Sequence, residues 1–70
     1  MGSSLSRVDG RVLELLARGL TTSEVAVCLS MTSDEARGHL ARSITTLGVT
    51  SKLEAIVKAA QLGLIRLSSQ

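Results

Sequence analysis

The chain has 70 residues, eight basic and six acidic side chains, and a formal charge of +2 at pH 7, which permits nucleic-acid binding without arguing for it. This length allows one domain with a modest core, and the sequence has no Phe, Tyr or Trp on which unpaired bases could stack. Because the one cysteine, Cys28, has no internal partner and no apolar run approaches a membrane span, we expect a cytoplasmic protein without disulfides.

The first predicted element is an amphipathic helix that begins after the capping residue Ser6 and ends at Gly19. Asp9 stands at the third helical position, where it can act as a weaker partner of this cap. We expect Leu20 to fold back onto the helix as the hydrophobic contact of its C-terminus. The apolar residues at helical spacing are Val8, Val12, Leu13, Leu15 and Leu16, and the charged residues between them are Arg7, Arg11, Glu14 and Arg18.

Two helix patterns follow, over residues 22–29 and 33–47, separated by a three-residue break. Each begins with a Thr-x-x-Glu capping box, led by Thr21 and Thr32. Gly48 can take the left-handed conformation that ends a helix. Two helices joined by so tight a turn predict a helix-turn-helix, in which the second helix usually enters the DNA major groove.

The faces of these two helices differ in character. Val27 and Cys28 fall on the outer side of the first, either as scattered apolar residues of the ordinary kind or as an added contact surface. His39 is predicted to be a packed or boundary residue, and Gly38 either permits close approach to a groove or is simply tolerated. The predicted inward residues are Val25, Ala26, Leu29, Ala36, Leu40, Ile44 and Leu47, and the outward ones are Asp34, Arg37, Gly38, Ala41, Arg42, Thr45 and Thr46.

A fourth helix pattern begins at a third capping box, formed by Ser51 and Glu54, and stops at Gly63. Leu53, Ala55, Ile56 and Ala59 are predicted to seal the core, whereas Val57, Ala60 and Leu64 form a second apolar stripe. Either a partner covers this stripe, or the C-terminal end of the chain folds back over it. The predicted fold is a small all-α, four-helix domain over residues 5–67, after a disordered lead-in or expression scar at 1–4 and before a tail at 68–70.

The sequence resembles the LuxR-type, or GerE-like, helix-turn-helix domains without a gap from Leu5 to Ile65. Each matching piece is short, and the specificity lies in their combined spacing. The matching residues are Leu5-Ser6, Val12-Leu13, Leu15-Leu16-Ala17, Gly19-Leu20-Thr21, Glu24-Val25-Ala26, Leu29, Thr32, His39-Leu40, Leu47-Gly48-Val49, Lys52, Ala55-Ile56 and Gly63-Leu64-Ile65.

This resemblance implies the DNA-binding output domain of a bacterial transcription regulator, such as a response regulator with an upstream receiver or ligand-binding domain. The helix over 33–47 would be the recognition helix, no cofactor would be needed, and double-stranded DNA would be bound by a homodimer. The implied DNA-binding residues are Arg37, Gly38, Ala41, Arg42, Thr45, Thr46, Lys52, Thr22 and Ser23, and the implied dimer contacts are Val57, Ala60, Gln61 and Leu64.

Several positions depart from the family pattern. Glu35 replaces a threonine, Thr46 replaces a lysine, and Gly38 and Ala41 are short where longer side chains are usual. Residues 21–47 hold Arg37 and Arg42 against Glu24, Asp34 and Glu35, a balance of two minus three, or −1.

A second hypothesis is therefore a degenerate helix-turn-helix that binds another protein, with weak or no DNA binding. Its contact surface would be Val27, Cys28 and the stripe on the fourth helix. An enzyme is a third hypothesis and a distant one, because the sequence shows no acid–base pair, phosphate-binding loop or set of metal ligands.

Overall fold

The computed structural model describes residues 5–66, so the predicted lead-in at 1–4 and the C-terminal residues 67–70 lie outside the described residues. Its helices are α1 (Arg7–Ala17), α2 (Thr22–Leu29), α3 (Ser33–Leu47) and α4 (Lys52–Gln61). The all-α, four-helix prediction is confirmed, and the bounds of α2 and α3 are those that the sequence predicted. None of the helices in the described part of the chain is long and apolar enough to cross a membrane.

Reciprocal capping boxes start both helices of the helix-turn-helix. In α3, the Glu35 N–H donates to Thr32 Oγ1 at 3.0 Å, and the Thr32 N–H donates to Glu35 Oε1 at 2.8 Å. Thr21 and Glu24 repeat this arrangement at the start of α2. The turn between the helices places Ser30 in the left-handed region, with φ 57° and ψ 46°. Local hydrogen bonds therefore set where each of these helices begins.

Two other predicted caps form only in part. Ser51 Oγ accepts from the Glu54 N–H, but the Glu54 carboxylate accepts from the N–H and hydroxyl of Thr50 instead of reaching Ser51. These bonds, led by the one from the Thr50 backbone, hold the pKa of Glu54 below its ordinary value. At α1, Ser6 Oγ accepts from the Asp9 N–H, while the Asp9 carboxylate turns into the protein. The prediction that Glu54 and Asp9 complete their capping boxes is therefore wrong.

The core lies where α1 packs against the other three helices. Along α3, Ala36 and Leu47 are buried, and Leu40 and Ile44 are half-buried against the same cluster. This pattern confirms the predicted inward stripe. The fully or nearly buried apolar residues are Val12, Leu13, Leu15, Leu16, Val25, Ala26, Ala36, Leu47, Ala55, Ile56, Ala59 and Ile65.

The core differs from the prediction at Leu53, which is exposed, and at Ile65, which is buried after the end of α4. Leu53 is 68% exposed, so its predicted role in sealing the core is wrong. At 100° per residue it lies beside Val57, more than a quarter-turn from the middle of the buried residues Ala55 and Ala59. After α4 the chain folds back towards α1, where Ile65 is buried and lies close to Gly10. It leaves Val57 exposed.

Candidate nucleic-acid interface

The outer face of α3, which we define as Gly38, Ala41 and Thr45, is exposed. These residues follow each other at i, i+3 and i+7, so they line one side of the helix. Apart from its two chain neighbours and the nearby backbone of α3, no heavy atom lies within 4 Å of the position that a Cβ on Gly38 would occupy. The α3 backbone is therefore open to close approach by a ligand along this face. Thr46, which the sequence placed on this face or beside it, is half-buried.

Arg37 lies beside the outer face and is paired with an acidic neighbour. Its Nη1 donates to Asp34 Oδ1 at 3.0 Å, and both side chains are largely exposed. An exposed ion pair of this kind is weak, and water and salt compete with it. Glu35 is also exposed, so the first turn of α3 presents two carboxylates to solvent.

Arg42 is bonded to a buried carboxylate on α1. Its Nε donates to Asp9 Oδ2 at 3.1 Å and its Nη2 donates to Asp9 Oδ1 at 3.2 Å. His39 Nδ1 lies 2.8 Å from Asp9 Oδ1. The Asp9 side chain is 3% exposed, whereas that of Arg42 is 59% exposed. The pair therefore anchors α3 to α1 at its buried end and still presents the guanidinium to solvent.

The ionisation of this cluster is set by opposing effects. Burial by itself would raise the pKa of the Asp9 carboxyl, but the hydrogen bonds from Arg42 and His39, together with their charges, lower it overall. The hydrogen bond and charge of Asp9 in turn raise the pKa of Arg42. Asp9 is therefore a carboxylate at neutral pH, and Arg42 keeps its positive charge.

The remaining predicted DNA-binding residues lie at helix N-termini. Thr22 is half-buried and Ser23 is exposed at the start of α2, and the Ser33 hydroxyl donates to that of Ser23 at 3.4 Å. This contact brings the N-termini of α2 and α3 together. Lys52 is exposed at the N-terminus of α4 and so does not belong to the paired N-termini of α2 and α3.

The predicted dimer contacts do not form one surface. Val57 and Gln61 are exposed on α4, Ala60 is half-buried against the core, and Leu64 is exposed beyond the end of α4, where it lines a separate groove with Gly10 of α1. Leu53 lies beside Val57, and both line an open groove of about 550 Å³ along α4. The predicted stripe is therefore not continuous, because Val57 shares its groove with Leu53 and not with Leu64.

Sequence reasoning missed Asp9 as the partner of Arg42. A signal was present, since Asp9 stands at i, i+3, i+4 and i+7 with the apolar residues Val12, Leu13 and Leu16. An acidic residue on an apolar stripe predicts a buried charge that needs a cationic partner. The sequence does not show which of the basic residues supplies it. Among the described residues, no group of three or more His, Cys, Asp or Glu side chains could hold a metal ion.

Comparisons with known proteins point to one fold. A solved structure of the transcription factor GerE is similar to this chain with a TM-score of 0.88 and 26% sequence identity, covering 91% of this chain and 96% of that one. No protein-family model and no curated protein matches the chain. The TM-score and the coverage of nearly the whole of both chains show that this chain has the fold of a GerE-like, LuxR-type helix-turn-helix domain.

Proposed function

We propose that this domain binds double-stranded DNA as the output domain of a bacterial transcription regulator, with α3 in the major groove. The observation that carries the proposal is the exposed outer face of α3, which lies between two arginines on a helix-turn-helix whose fold matches that of a transcription factor. A B-DNA major groove admits one α-helix, and short residues let the helix backbone approach the bases.

The chemistry of this face suggests a division of roles. Arg37 supplies a flexible positive charge for phosphates, and Ala41 and Thr45 offer methyl groups of the kind that contact the thymine methyl. Ser23 and Lys52 stand at helix N-termini, where backbone N–H groups also favour phosphate. Thr22 and the half-buried Thr46 border this surface.

The charge balance of α3 limits the affinity. Helix α3 carries two arginines and two carboxylates, Asp34 and Glu35. It therefore offers little net positive charge to displace counterions from DNA. We expect weak binding by one domain and a shallow dependence on salt. Recognition would then require two domains bound to two half-sites, and they would pair through the surface of α4 that includes Leu53, Val57 and Gln61. An upstream receiver or ligand-binding domain would control this pairing.

The test is a fluorescence-polarisation titration of the domain against duplexes selected from a random library, repeated across salt concentrations. Arg37→Ala should weaken binding and reduce the salt slope by part of the value of about 1 for a full phosphate contact, because Asp34 competes for Arg37. Arg11→Ala is the matched control, because Arg11 also forms an exposed ion pair, with Glu14, but lies on α1. If both variants bind like the parent, or if both lose affinity equally, Arg37 does not meet the DNA.

One observation favours a second function, the binding of another protein through α2. Val27 is 80% exposed and the neighbouring Cys28 is exposed as well. Two glutamate substitutions, measured for self-association and for duplex affinity, distinguish the two hypotheses. Val57→Glu should lower self-association and affinity for a duplex with two half-sites, whereas Val27→Glu should leave both unchanged. If the domain binds no duplex even at low salt, the protein-binding hypothesis replaces the DNA-binding one.

A further inference from the structure

We propose that Asp9, on α1, is a positioning residue that holds the Arg42 guanidinium ready for a two-point contact with DNA. This inference deepens the proposed function and rests on it. Arg42 would bind a pair of adjacent hydrogen-bond acceptors on the DNA. DNA offers such pairs as guanine O6 and N7 or as two oxygens of one phosphate.

The bonds to Asp9 occupy one edge of the guanidinium. Arg42 uses Nε and one proton of Nη2 in the two parallel bonds to the carboxylate, at 3.1 and 3.2 Å. The opposite edge, with Nη1 and the second proton of Nη2, donates to no carboxylate or carbonyl oxygen among residues 5–66. Arginine has five N–H donors in a rigid plane, so this second edge can still bind a second pair of acceptors.

His39 decides whether that edge is open. Its Nδ1 lies 2.8 Å from Asp9 Oδ1 and 2.9 Å from Arg42 Nη2. One ring nitrogen cannot donate to the carboxylate and accept from the guanidinium at once. The bond to the carboxylate is the stronger one because its acceptor is charged. We therefore assign the proton to Nδ1, which leaves the outer proton of Nη2 unused.

The anchor is buried and hydrogen-bonded, and the presented edge is accessible. Asp9 is 2% exposed, and the Ser6 cap and His39 bond its backbone and its side chain. Arg42 is four residues after Gly38 and three before Thr45, so its exposed end lies next to the outer face of α3. An arginine already held in one conformation loses less rotamer freedom on binding than a mobile one.

Charge and positioning predict opposite results for one substitution. Asp9→Asn removes a negative charge from a DNA-binding domain, so charge alone predicts tighter binding. Positioning predicts weaker binding, because asparagine keeps only one acceptor oxygen and its NH2 group would face the second donor of Arg42. We expect a loss of roughly tenfold in affinity for the selected duplex, within the range of one bidentate contact.

The experiment is a double-mutant cycle of Asp9→Asn and Arg42→Ala, measured on the selected duplex and on single-base-pair variants of it. Asp9→Asn should weaken the parent but have little further effect on Arg42→Ala, because the two changes remove one contact. If discrimination at one G·C pair falls in both single variants, the acceptors are those of guanine. A uniform loss across duplexes identifies a phosphate. A merely structural role would lower the melting temperature without this coupling.

Each remaining outcome is decisive. If the parent binds DNA and folded Asp9→Asn binds equally well or tighter, the positioning inference is wrong and the proposed function stands. If the parent binds no duplex, both are wrong. If Asp9→Asn does not fold, ¹⁵N spectra of the parent provide the test, with Arg42→Lys used to assign the Arg42 signal. The Arg42 Nε proton should exchange with water more slowly than that of Arg37, and equal exchange rates would overturn the inference.

Discussion

Asp34→Asn is expected to strengthen DNA binding by releasing Arg37. In the structure the Arg37 guanidinium donates to Asp34 at 3.0 Å, and both side chains are largely exposed. The neutral amide would hold the guanidinium less strongly, so Arg37 could neutralise a phosphate instead. Because the ion pair is exposed, breaking it takes little free energy.

The size of the effect follows from counterion release. One more neutralised phosphate changes the slope of log affinity against log salt by about −0.9. From roughly 200 down to 50 mM salt, a fourfold range, the advantage of Asp34→Asn over the parent should therefore grow by up to about 3.5-fold, the value for one whole additional phosphate. The loss of an acidic residue from the first turn of α3 should also lower the melting temperature by a few degrees, because that carboxylate favours the helix N-terminus.

The assay is a polarisation titration at several salt concentrations, with thermal melts of the same samples. Glu14→Gln is the matched control, since it changes the net charge equally but removes a carboxylate that accepts from Arg11 and from the Arg66 N–H, away from α3. Adding Asp34→Asn to Arg37→Ala should leave the salt slope unchanged. Equal slopes for parent and Asp34→Asn, or an equal gain from Glu14→Gln, would refute the reasoning.

Three further expectations concern stability. Leu13 is fully buried, so Leu13→Ala should lower the free energy of unfolding by about 2–5 kcal/mol in a denaturant titration, and an unchanged midpoint would contradict its place in the core. Ser30 has φ 57°, so Ser30→Val should lower stability by about 1–2 kcal/mol while Ser30→Gly should not, and equal melting temperatures for the two would count against the left-handed turn. The pKa of Asp9 is lowered in the folded state, so its contribution to stability is full above its unfolded pKa of about 3.9 and is lost as the pH falls through the lower folded value. Thermal melts against pH should show this loss in the parent and a smaller one in Asp9→Asn.

The sequence predicted the helices well because the signals that bound them are local. The capping boxes of Thr21 with Glu24 and of Thr32 with Glu35 join residues three apart. They can therefore form as soon as the first turn of the helix forms, without any tertiary contact. The apolar stripe of α3 is likewise a property of one segment and its 3.6-residue period. Local signals were less reliable at Glu54. Its carboxylate accepts from the N–H and the hydroxyl of Thr50 instead of from the single N–H of Ser51 that the predicted capping box required.

The candidate site was predicted less completely, because part of it joins distant parts of the chain. The outer face of α3 follows from helix geometry once the buried face is known. The link from Asp9 to Arg42 spans 33 residues and that to His39 spans 30. No periodicity within one helix indicates such a pairing.

What the sequence determined by itself is therefore the set of helices, their N-capping residues and the inward stripe of α3, since these depend on contacts within a few residues. The tertiary structure alone decided which basic residue neutralises Asp9, that Leu53 is exposed, and that residues 62–66 bring Ile65 close to Gly10 and leave Val57 exposed. These outcomes depend on how whole helices pack. A buried charge or an apolar side chain takes its partner from the surface that packing brings near, whatever the distance along the chain.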